Sequence, residues 1–195
     1  MPYTLILVVL VALVLYLVSI FNKFKTIETR IKASIQEIGN QLKRQAEMIP
    51  NLIASVKGYM KHEQKALDKI TEARKSILSA LQGNNAKDLV AAASQLNQAL
   101  PAIQAVFEST PELQAAGPTR QLMDELRDTA DKVMYSRRLV IDLTADYNVR
   151  RVSVPSNIIA NMFKFEEQPG LITPEKGEHV EVGMGETKTP KVDLE

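Results

Sequence analysis

The nineteen residues from Tyr3 to Phe21, YTLILVVLVALVLYLVSIF, contain no charged side chain. As a helix this stretch rises about 28 Å, close to the roughly 30 Å hydrocarbon thickness of a bilayer, so the pattern predicts a single membrane-spanning helix. A cleaved secretory leader would carry a positive amino-terminal region and a small-residue cleavage site. The chain opens instead on Met1-Pro2-Tyr3, and the stretch closes on Leu17-Val18-Ser19-Ile20-Phe21. A retained anchor over residues 1–22 is the expectation.

Beyond the anchor, apolar residues return at heptad spacing, the pattern by which a helix buries one stripe against its neighbours. Phe24, Ile31 and Ile38 form one row, with Ile35, Leu42 and Ile49 beside it. A second segment carries Ile53, Met60, Leu67 and Leu81 next to Val56, Ile70 and Ile77. The third carries Leu89, Leu96 and Ile103 next to Ala93, Leu100 and Phe107, and the fourth Leu126, Val133, Val140 and Tyr147 next to Leu122, Thr129 and Leu143.

Proline and glycine punctuate these segments, because proline lacks an amide proton and glycine and asparagine favour helix ends. Pro50, Gly83-Asn84-Asn85, Thr110-Pro111 and Gly117-Pro118 are the boundaries, and Pro101 is expected to kink the third segment. If Pro50 only kinks a helix, residues 22–82 form one rod of about 90 Å. If it marks a turn, residues 22–48, 51–82, 86–116 and 119–150 are of similar length and suit an up-down-up-down bundle, in which every stripe finds a partner. The turn is the expectation. It brings together residues whose numbers sum to about one hundred, so Glu28 and Arg74, both at stripe positions, should form an ion pair. Glu63 is a further charge at a stripe position, and Arg137 on the shoulder of the fourth stripe either reaches Glu63 or joins the solvated face.

Charge is divided unevenly. The last thirty residues hold eight acids and three bases, leaving the first 165 mildly basic. From Glu166 onward Pro, Gly, Glu and Lys dominate without a sustained period, and residues 166–195 are expected to be a disordered acidic tail. All the basic residues flanking the anchor follow it, namely Lys23, Lys25, Arg30 and Lys32. The positive-inside rule then sets the amino terminus outside and residues 23–165 in the cytoplasm, with these four cations near anionic head groups. The run Ile158, Ile159, Met162, Phe163 and Phe165 should return to that end of the bundle. There it caps the core, with Phe163 and Phe165 adding contact with lipid.

Few side chains here suit chemistry. The chain has no Cys, which removes disulfides, thiolate zinc sites and thiol nucleophiles together. His62 is the lone histidine of the bundle region, whereas a di-iron centre in a helical bundle needs repeated Glu-x-x-His. Gly58 and Gly83 stand alone, so no phosphate-cradling loop is present, and no basic stretch interleaved with aromatics points to nucleic acid. The expectation is a protein that is not an enzyme and takes no cofactor.

The stretch Leu42-Lys43-Arg44-Gln45-Ala46-Glu47-Met48-Ile49-Pro50-Asn51-Leu52-Ile53, followed by Val56-Lys57-Gly58-Tyr59, His62-Glu63 and Glu72-Ala73-Arg74, resembles the signature of the LemA family of bacterial membrane-anchored helical proteins. So do Tyr147-Asn148 and Pro155-Ser156-Asn157-Ile158-Ile159-Ala160 with Phe163 and Phe165. The resemblance covers roughly residues 22–165. It implies an amino-terminal single-span anchor and a four-helix bundle of the bromodomain-like class, without an established biochemical activity. It also implies a link with membrane organisation, since some relatives are associated with magnetosome membranes.

The fold expected is therefore all-α: a transmembrane helix, an up-and-down four-helix bundle and a tail. The function expected is a scaffold or interaction module at the inner membrane of a bacterium, contacting lipids and an unidentified protein, with self-association open. The alternatives are an accessory subunit of a membrane enzyme and a lipid-binding, membrane-organising protein.

Overall fold

The computed structural model describes residues 2–60, 63–83 and 85–171, and among these every regular element is a helix. The order is α1 (Pro2–Val56), α2 (Gln64–Gly83), α3 (Ala86–Ser109), α4 (Pro111–Ala115), α5 (Gly117–Val152) and α6 (Ser156–Met162). The apolar stretch and the first bundle helix are one unbroken helix. Its apolar part is exposed, and it is long and apolar enough to cross a membrane.

The turn expected at Pro50 is not there. α1 continues through Pro50 to Val56, and the chain reverses after it, where Tyr59 and Met60 donate their amides to the Val56 carbonyl. A proline inside a helix costs about 3 kcal/mol, chiefly through the lost amide and a clash with the preceding turn. Two features offset that cost. The ring sits on the exposed face, while Ile49, Leu52 and Val56 are fully buried, each contributing about 1.5–3 kcal/mol. The Ala46 carbonyl, which lacks the residue-50 amide, accepts instead from Arg74 Nε at 2.9 Å. Pro101 likewise lies within a continuous α3, on its exposed face, where water can serve the Asn97 carbonyl.

The shifted turn moves every pairing. Arg74 lies beside Ala46 and the Gly39 Cα beside Leu81, so α1 and α2 pair residues whose numbers sum to about 120 rather than 100. The expected Glu28–Arg74 ion pair is absent. Glu28 bonds Lys25 and Lys32 instead, about 27 Å along the helix from Ala46. Glu63 is not a stripe residue but an exposed one, whose carbonyl starts α2 by accepting from Ala66 and Leu67. Arg137 is half-buried on α5, level with the middle of α1 and more than about 30 Å from Glu63; its Nε is buried without a hydrogen-bond partner.

The stripes themselves are all buried or half-buried. α5 runs antiparallel to α1 over its length, as Arg44 bonds Glu125 and Phe24 meets Tyr147. α2 and α3 cover only the far half of this pair, and their near ends come level with Gly39, where a side chain would meet Leu81 and Leu89. That half is a four-helix bundle with one aliphatic core from Ile38 to Met60 on α1 and the connecting turn. Nearer the apolar stretch α1 and α5 have a separate core: Phe24, Ile27 and Ile31 against Leu143 and Tyr147, closed by Ile159, Ala160 and Phe165.

The expected disorder from Glu166 does not begin there. Residues 166–171 are placed, with Gln168 bonded to Asn148 and Leu171 buried in the main core. The rest of the expected tail, and the expectations for His62 and Asn84, lie outside the described residues.

Candidate functional site

The distinctive chemistry of the molecule gathers where the chain returns to the base of its apolar segment. α5 ends at Val152, the chain turns through Ser153, Val154 and Pro155, and α6 packs back against α1. Two serines hold this elbow: Ser153 Oγ donates to the Val149 carbonyl at 2.7 Å and Ser156 Oγ to the Arg150 carbonyl at 2.6 Å.

α6 then stops in a Schellman closure. Phe165 donates its amide to the Ala160 carbonyl at 2.9 Å and Lys164 donates to Asn161 at 3.3 Å, with Lys164 in the left-handed region at φ 53°. This reversal turns Phe165 inward. Its ring stacks on Phe24 with centroids 4.8 Å apart and meets Tyr147 edge-on at 6.5 Å, an arrangement favoured by ring quadrupoles. Arg151 Nε holds the Phe165 carbonyl at 3.1 Å. Asn148 grips Gln168 through both backbone groups, accepting from its amide at 3.0 Å and donating to its carbonyl at 2.9 Å. Residues 163–171 thus form a hook from the base of the apolar segment to the main core.

The six residues expected at a membrane interface fall into different environments. Phe165 is buried, whereas Phe163 is half-exposed against Phe21 at 4.8 Å. Lys25 and Lys32 each bond Glu28 at 3.1 Å, and Lys25 also lies 5.2 Å above the Phe165 ring. Arg30 and Lys23 are exposed, and of the four cations only Lys23 lines a cleft described below. Hydrogen bonds from Lys32 and Lys25 hold the Glu28 carboxyl below its usual range. Burial raises the Tyr147 phenol above its ordinary value, against the opposing effect of a hydrogen bond with Gln168.

α6 has an inner and an outer face. Ile159 and Ala160 are buried, while Ile158, Met162 and Phe163 remain more than half exposed. Together with Val14, Leu17, Val18 and Phe21, Ile159, Met162 and Phe163 enclose an almost wholly apolar groove of about 250 Å³. α6 and Phe163 therefore extend the exposed apolar surface of α1 sideways, at the level of residues 14–21. Among the described residues, no group of three or more His, Cys, Asp or Glu is placed to hold a metal ion.

The sequence pattern singles out the two aromatics that follow α6, Phe163 and Phe165, but not the residues that set them. Tyr147 was legible as a stripe position and Asn148 only as part of the family resemblance. A signal for Asn148 exists in hindsight: a polar residue next to a buried aromatic, on a helix facing a Gln-Pro-Gly stretch, suits the capture of extended backbone.

Fold and site together define an all-helical bundle whose first helix carries a bare apolar extension, clasped at its base by α6 and residues 163–171. The chain belongs to the LemA family, whose model matches residues 34–183. The match begins twelve residues later than the resemblance read from motifs and continues past residue 165 into the acidic stretch, so that stretch is partly a family feature. Among curated proteins no match is found.

Proposed function

We propose that the protein is a membrane-tethered interaction module that works by contact rather than by catalysis. Residues 3–21 span the inner membrane of a bacterium with the amino terminus outside, and the bundle stands in the cytoplasm. α6 lies in the head-group region with Ile158, Met162 and Phe163 against lipid. The acidic chain end is offered to a basic protein partner.

One observation carries this reading: a bare apolar segment and a packed bundle share a single helix, and the exposed apolar face of α6 adjoins that segment. Exposed apolar surface of this extent on a folded chain marks a contact with membrane or protein. The basic residues on one side only support the orientation. The continuous helix adds a mechanical consequence, because the bundle cannot swivel freely on its anchor. Of the other readings, a lipid-binding protein has a specific feature behind it, the cleft where the elbow between α5 and α6 meets α1.

The chain has no Trp, so a single introduced indole is an unambiguous depth probe. In vesicles containing brominated lipid, Phe163→Trp should be strongly quenched and Tyr135→Trp, about 20 Å further from the apolar segment, should not. Equal, weak quenching of both would contradict the placement of α6.

A further inference from the structure

A second cleft, of about 400 Å³, lies where the elbow between α5 and α6 meets α1. Its wall changes character along the helix. Tyr16 and Ile20 line one end and Lys23 the other, so within about 12 Å of axis the surface passes from apolar to cationic. Arg150 supplies a second cation from α5. Its Nε lies 2.8 Å from an Asp146 carboxylate oxygen as an ion pair but makes no hydrogen bond there, so the guanidinium keeps donors for another acceptor, foremost the two Nη groups at its outer edge. Ser153 and Ser156 also border the cleft, but their hydroxyl protons go to backbone carbonyls, so they brace the elbow rather than serve a ligand.

The other cations near the anchor are placed differently. Lys25 and Lys32 are bound to Glu28, and Arg30 does not line the cleft. Lys23, Arg150 and Asp146 together carry one net positive charge, which matches the single negative charge of a phosphodiester. A free phosphate would carry more charge, would face Asp146 and would leave the Tyr16–Ile20 end without an occupant.

We propose that this cleft binds one anionic phospholipid, its phosphodiester held between Lys23 and Arg150 and an acyl chain lying along Tyr16 and Ile20. The inference rests on the reading that residues 3–21 span a bilayer, and it assigns a lipid site to the joint between anchor and bundle. Occupancy would tie α5 and the elbow to α1 at head-group level, so that lipid composition sets how firmly the hook is seated.

The test is native mass spectrometry of the full chain in detergent, titrated with phosphatidylglycerol or phosphatidylcholine. One phosphatidylglycerol should be retained with about tenfold preference, as expected for two cations near a lipid phosphate. K23Q/R150Q should bring the two lipids close to parity. R150K keeps the charge but loses the planar fork and should forfeit about threefold, whereas a merely diffuse attraction would leave it like the parent. D146N should bind about threefold tighter, because it removes a competing carboxylate. Circular dichroism checks that each variant is folded, and the gain in D146N is not open to explanation by misfolding.

Equal retention of both lipids by the parent chain, an unchanged preference in K23Q/R150Q, or displacement of lipid by millimolar inorganic phosphate would each overturn the site. Carbonate extraction of the same chain separates the two failures. A chain that leaves the membrane fraction sinks the spanning reading and the cleft with it. A chain that stays without lipid preference sinks the cleft alone.

Discussion

Proline at position 50 deprives the Ala46 carbonyl of its partner within α1, and Arg74 of α2 takes the vacant position. The two residues should therefore be energetically coupled. Arg74→Met, which keeps the aliphatic stem, is expected to cost about 1.5–3 kcal/mol in the parent, the usual cost of losing a charged hydrogen bond to a buried group. In a Pro50→Ala background the helix supplies its own amide, and the same change should cost less than about 1 kcal/mol. Urea unfolding of the four proteins in detergent, followed by circular dichroism, measures the difference. Equal costs in both backgrounds would mean that Arg74 does not serve the orphaned carbonyl. The sequence makes Arg74 conspicuous as a charge on an apolar stripe, but a bend at Pro50 would give it no orphaned carbonyl to serve, so its partner is not visible there. The clue lay four residues before the proline, at the acceptor it orphans.

At the scale of elements, the heptad stripes were legible because burial follows side-chain periodicity, and each apolar residue of the predicted stripes is buried or half-buried, whereas Glu63, also expected on a stripe, is exposed. Boundaries were harder where a helix breaker's usual signal was overridden. Apolar spacing at Ile49, Leu52 and Val56 continues across Pro50, and burial of these three outweighs the proline's local preference. The hook was the element most thoroughly hidden. Its reversal uses Lys164 at a left-handed position where glycine is customary, so no glycine marks it, and Gln168, Pro169 and Gly170 read as tail. Lys164→Gly should relieve that strain and stabilise the hook by about 1 kcal/mol. Slower hydrogen exchange at the Phe165 and Gln168 amides would show it; faster exchange would mean that the Lys164 side chain contributes more than its backbone costs.

The whole molecule has two tiers. Away from the apolar segment four helices share an aliphatic core, and next to it only α1 and α5 pair, with α6 and the hook completing an aromatic one. The all-helical class, the bare apolar end and the return of Phe163 and Phe165 to it were readable from pattern alone. The two tiers were not, because they follow from α2 being short, and its length depends on where the first turn falls. Moving that turn from Pro50 to the residues after Val56 lengthens α1, shortens α2 and leaves a gap near the anchor that the hook fills.

One rigid rod, α1, runs from the apolar segment to Val56 and fixes the bundle and the clasp relative to the anchor. The chain has no native Cys, so two spin labels can be placed at Lys23→Cys and Lys57→Cys without background. Electron–electron resonance on the full chain in nanodiscs should give a distance near 51 Å for a continuous helix. A distribution centred near 30 Å, the separation expected if the chain folds back at Pro50, would contradict it.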